Sequence, residues 1–236
     1  MRRFVPLLAT AVLLPCLIAL GMWQLDRSRQ KLEIRELVAS RVDAPAIDLS
    51  QGSSAALANA GDVAFRAVSA TGVYDVAGQV LIDNRIHQGQ AGYHVLTPLR
   101  FNTQSHAVLV NRGWVPWGND RTILPDTPAP DGAVTVSGRA IVPGEYFELE
   151  APENVELAAV WQNLDLDRFA RRVGYPLMPI VVELDETSDA GGFVRRWRDH
   201  DDGWVERHRG YAFQWFSLAA TLVIINLVLW VRRRRQ

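Results

Sequence analysis

Two long apolar runs without a single charge lie near opposite ends of this chain, and arginine flanks each on its outer side. Arg2 and Arg3 precede the run from Phe4 to Leu25, and Arg232, Arg233, Arg234 and Arg235 follow the run from Tyr211 to Val231. A helix of about 20 apolar residues matches the ~30 Å hydrocarbon core of a bilayer. Lys and Arg collect on the cytoplasmic side of spans, so both termini are expected in the cytoplasm. The segment between the runs then lies across the membrane. The first run is expected to persist as a helix, because no A-x-A-like site follows it. It also exceeds the ~7–15 apolar residues of a signal core.

This divides the chain into residues 1–25 (N-terminus and first span), 26–209 (extracytoplasmic domain) and 210–236 (second span and basic tail). All 26 acidic residues fall between Asp26 and Glu206, against 19 basic residues outside the terminal arginines, a net charge of −7 for the middle. Phosphate backbones need a basic surface, so nucleic acid is excluded as a partner. The one cysteine, Cys16, lies inside the first run. The middle segment therefore has no disulfide, thiol nucleophile or thiolate metal site.

After Trp23, which suits a membrane interface, Asp26 to Arg41 reads as a polar continuation of the helix. Ala44 to Asp62 reads as a linker. From Phe65 onward, short stretches rich in Val, Leu, Tyr and Phe alternate with turn residues: 65–74, 80–85, 93–99, 107–115, 134–142, 160–163 and 180–184. That density predicts a β-rich α+β domain built on an antiparallel sheet or small barrel. One helix is expected at Leu166 to Val173, capped by Asp165 and stopped by Gly174 and Pro176, with Phe169 and Val173 on its buried face.

Motifs for chemistry are sparse. The five histidines never pair at helical metal-site spacing, and there is no nucleophile elbow or phosphate loop. Asn111-Arg112-Gly113-Trp114 has two readings: a recognition surface at a strand end, or an edge strand leaving the sheet at a glycine bend with Trp114 packed on the core. At the start of the second run, His208, Tyr211, Ala212 and Trp215 follow i, i+3, i+4, i+7 spacing. A neutral imidazole there suits a haem axial ligand, small Ala212 leaves room for a flat ring, and Arg207 or Arg209 pairs with propionates. Equally, Tyr and Trp at that position form an interfacial belt. Gln214 and Asn226 carry amides into an apolar medium, where they are expected to bond across a helix interface, within this pair or to another protein.

The ordered pieces Gly21-Met22-Trp23-Gln24-Leu25-Asp26-Arg27, Gly72-Val73-Tyr74, Gly92-Tyr93-His94-Val95-Leu96-Thr97-Pro98-Leu99, Val108 to Pro116, Gly174-Tyr175-Pro176 and His208 to Phe216 run nearly the whole chain. In this set and order the chain resembles the Surfeit-locus family of cytochrome c oxidase assembly factors. The resemblance implies a non-enzymatic protein of the bacterial inner membrane with a periplasmic domain. It further implies haem a as cofactor, with His208 as its iron ligand and Tyr211 near it; Trp215, Arg207 and Arg209 join that candidate site from spacing and charge alone. The implied partners are oxidase subunit I and haem a synthase, with Arg112, Gly113, Trp114, Gln214 and Asn226 as candidate contacts.

Overall fold

Each apolar run lies in a helix that extends past it. In a computed structural model, which describes residues 5–42, 44–51, 59–101, 106–118, 120–144, 159–197 and 203–235, α1 covers Val5–Val42. The C-terminal helix covers Trp204–Arg234. Both are long and apolar enough to cross a membrane. The 38 residues of α1 extend about 57 Å at helical rise, well beyond the apolar run. Its polar part, from Asp26 on, carries local pairs such as Arg27 with Gln30 and Arg29 with Asp26. Arg2, Arg3 and Phe4 lie outside the described residues, as does the 52–58 part of the expected linker.

The chain separates into two units, residues 1–39 with 198–236, and residues 40–197. In the helical unit, α1 and the C-terminal helix run side by side. The seam uses small residues: Gly21 of α1 faces Phe216, and Val205, Ala212 and Ala219 are buried along the partner helix at heptad spacing. A β-carbon at Gly21 would stand 2.7 Å from the Phe216 ring. Asn226 donates to Thr10 Oγ1 at 2.8 Å and to its own helix at Leu222 O. The cross-helix bond expected of Asn226 is thus made within this pair.

The sheet unit begins with elements inside the expected linker: β1 (Ile47–Asp48), a 3-10 turn and a short helix α2 (Ala60–Val63) capped by Asn59. Next come β2 (Ala67–Tyr74), β3 (Val80–His87), β4 (Gln90–Arg100), β5 (Ala107–Pro116) and β6 (Ala133–Ile141). They are followed by β7 (Val160–Trp161), α3 (Leu166–Val173) and β8 (Leu177–Leu184); the C-terminal helix is α4. Strand order is β1-β2-β6-β8-β5-β4-β3-β7, and β4 also returns to β2, so five strands pair in a ring. The sheet is mixed. β2, β3, β4, β5 and β6 join neighbours antiparallel, whereas β1–β2, β3–β7 and β5–β8 are parallel.

Alternation explains the burial. Val108 and Val110 of β5 join Tyr74, Leu99, Val136, Ile180 and Val182 in one core, while Leu109 between them faces a second core with Ile82, Leu96, Trp161 and Phe169. A strand buried on both faces reads as continuously apolar. The second core is covered by α3, whose cap is the one expected. Asp165 Oδ1 accepts from Arg168 N at 3.0 Å, and Gly174 closes the helix in the left-handed conformation. Phe169 is fully buried and packs on Trp161 at 5.3 Å between rings, with Val173 partly buried beside it. Full burial of such a ring stabilises by about 1.5–3 kcal/mol.

Candidate functional site

His208 sits one turn into α4, half-buried, where the helix leaves its polar start for its apolar run. Its Nδ1 lies 2.6 Å from Gln24 Oε1 on α1. The Trp204 ring, one turn earlier, lies 5.9 Å from the imidazole centroid at 31°. Arg207 places its guanidinium 4.5 Å over that same Trp204 ring, and Arg207 and Arg209 are both exposed. Of the stripe expected from spacing, Ala212 is buried in the seam, His208 and Trp215 are half-buried, and Tyr211 faces outward, 47% exposed. The seam runs on the Ala212 side of the stripe, which leaves Tyr211 at its far edge. Gln214 is exposed as well.

The residues that reasoning from sequence overlooked here are Gln24 and Thr10. Both are polar side chains within an otherwise apolar run, the same signal that singled out Gln214 and Asn226 in the second run. Each meets a polar group of α4.

In the sheet unit, the Asn-Arg-Gly-Trp stretch lies at the heart of the fold. β5 pairs with β4 on one side and β8 on the other, so it is an interior strand and not an edge. Arg112 is fully buried. This corrects its expected place on a recognition surface: its alternation with Val108 and Val110 turns it inward. Nε donates to Gly191 O at 2.8 Å, Nη1 to Gln79 Oε1 at 3.0 Å, and Nη2 to Pro128 O. The guanidinium also lies 5.1 Å from the Tyr74 ring centre and 5.0 Å from that of Phe193. Burial lowers the Arg112 pKa from its ordinary value and pushes the Tyr74 phenol up to about 12, opposed in part by the Arg112 charge. Gly113 adopts φ 120°, and a β-carbon there would stand 2.7 Å from Val194 O. Trp114 is buried, and its Nε1 donates to Arg85 O at 2.8 Å. Its backbone N–H donates to Val194 O at 2.7 Å. The tryptophan is therefore packed and anchored.

On the outer face of β4, β5 and β8 a cleft of about 180 Å³ is lined by Arg85, His94, Asn111 and Glu183 over an apolar floor that includes Ile82 and Val181. His94 Nδ1 and Asn111 Nδ2 are 3.2 Å apart, and Glu183 accepts from Arg139 at 3.1 Å. Burial raises the Glu183 carboxyl despite Arg139, and lowers the Arg85 guanidinium. Tyr175 is raised by burial and by its bond to Asp75. Among the described residues no three His, Cys, Asp or Glu side chains gather as a metal site.

With this geometry in view, a family model described as the SURF1 family matches residues 11–220. The chain belongs to the SURF1 family. Relatives include a SURF1-like protein of Rickettsia bellii, 27% identical over 214 residues, covering 89% of this chain and 84% of the relative. Surfeit locus protein 1 of Rattus norvegicus is 27% identical over 236 residues, covering 91% of this chain and 72% of the relative. The SURF1 match begins within α1 and ends within α4, so it takes in both His208 and Gln24.

Proposed function

We propose that this SURF1-family chain is an assembly factor for a haem–copper cytochrome c oxidase, not itself an enzyme, that receives haem a at His208 and passes it to the catalytic subunit I. Its two apolar helices would be membrane spans of a bacterial inner membrane. The arginines at both outer ends favour cytoplasmic termini and a periplasmic sheet unit. The observation that carries the reading is the group of side chains around His208. One ring nitrogen is engaged by Gln24, and among the described residues the other has no hydrogen-bond partner, which would leave it for a ligand. Arg207 and Arg209 are exposed on the same turn for carboxylates, and Trp204 and Tyr211 offer exposed aromatic surface.

The fit to haem a follows from the chemistry of these donors. His208 supplies an axial nitrogen, the two arginines suit propionates, and Trp204, Tyr211 and Trp215 match a flat apolar ring. Haem a supplies the redox-active iron that the oxidase needs, so it is cargo here. Below the site, on the Tyr211 side of the helix, α4 exposes Leu218 and Ile225. An outward apolar face next to the ligand is a route for lateral transfer to a neighbouring membrane protein. Haem a synthase is the natural donor and subunit I the acceptor.

A second reading keeps the oxidase partner and drops the cofactor. Gln214, exposed on that apolar face, is an amide whose burial in lipid is costly unless a partner helix satisfies it. In this version the helix pair steadies a folding oxidase subunit. Complementation of a deletion strain separates the two. His208→Ala should lower haem a content of the oxidase while oxidase protein persists. Normal haem a content with His208→Ala, and loss of subunit I with Gln214→Leu, would favour the scaffold.

A further inference from the structure

We infer that Gln24 is a positioning residue for His208, selecting the imidazole tautomer that leaves Nε2 as the free ligand nitrogen. What Nε2 then binds rests on the haem reading above; the tautomer does not. Gln24 Oε1 and His208 Nδ1 are 2.6 Å apart. With the Gln24 amide turned so that Oε1 faces the ring, Nδ1 is the donor, because an amide oxygen carries no hydrogen. A neutral imidazole has one N–H, and with it on Nδ1 the lone pair stays on Nε2.

The neighbourhood holds this pairing in place. Gly21, one turn before Gln24, takes the Phe216 ring, and Ser28, one turn after, meets Val205 O. Gln24 is thus fixed along the seam on both sides, opposite His208. An amide at the edge of an apolar medium is costly unless bonded, so the bond is favoured for both partners. Imidazoles that bind metals have their second nitrogen fixed in this way, which orients the ring and raises its basicity. The first helix is therefore more than an anchor.

Nitrogen NMR of the full chain in nanodiscs tests this, with His208→Ala identifying the resonance, followed by titration with haem. The wild type should show Nδ1 protonated and Nε2 bare. Gln24→Leu should shift His208 toward the Nε2–H form and weaken haem binding about 10- to 100-fold. Gln24→Glu keeps an acceptor at the same place and should restore both. Thr10→Val, which alters the seam elsewhere, should leave the tautomer unchanged and so controls for general loosening. An Nε2–H tautomer in the wild type, or a Gln24→Leu protein with unchanged tautomer and affinity, overturns the inference. If the wild type shows the Nδ1–H form, Gln24→Leu loses it and neither protein takes up haem, the positioning role stands and the haem reading fails.

Discussion

The guanidinium of Arg112 donates from Nε to the carbonyl oxygen of Gly191 at 2.8 Å, tying the middle of β5 to the segment after β8. The same group holds Gln79 and the Pro128 carbonyl. One buried cation therefore collects three separate stretches of chain. Arg112→Met would leave those acceptors buried without a donor, at a cost of about 3 kcal/mol. Arg112→Lys should not restore it, because an ammonium lacks the planar fork that reaches all three. Urea unfolding of the full chain in detergent checks this. A loss below about 1 kcal/mol would contradict the buried role.

Tyr74 belongs to the same cradle, donating to Ala190 O at 3.0 Å. Burial raises its phenol from 10.0 to about 12, so the protonated form is favoured in the folded state. The stability it adds is fully present below pH 10, where both states are protonated, and is lost as pH rises toward 12. Tyr74→Phe should remove that part of the alkaline decline between pH 10 and 12. Parallel pH–stability curves for wild type and variant would count against it.

Gly21 faces Phe216 with no room for a β-carbon. Gly21→Ala should therefore strain the helix pair by about 1–3 kcal/mol. In a Phe216→Ala background the same change should cost little, since the opposing ring is gone. A double-mutant cycle on helix-pair unfolding in detergent measures the difference. Strictly additive effects would mean that the two residues do not meet.

Legibility from sequence followed the strength of local signals. Uncharged runs and a clean Asp165–Gly174 cap located α1, α4 and α3 because length, charge and capping act within one segment. The β segments were visible as apolar stretches, but the parallel pairings of β5 with β8 and β3 with β7 were not, since register depends on distant residues. Arg112 misled for the same reason. An arginine in a short motif suggests a surface, and only the strand's two neighbours show that it is enclosed. His208 stood out by its place in the chain, whereas Gln24 gained meaning only when α1 and α4 lay side by side.

Binding of haem a at His208 is tested most directly by the optical spectrum of the purified full-length protein. Protein made with a haem a supply should show a Soret band absent from protein made without it, and His208→Ala should lose the band. A spectrum indifferent to haem a supply, or a Soret band unchanged in His208→Ala, would contradict the account.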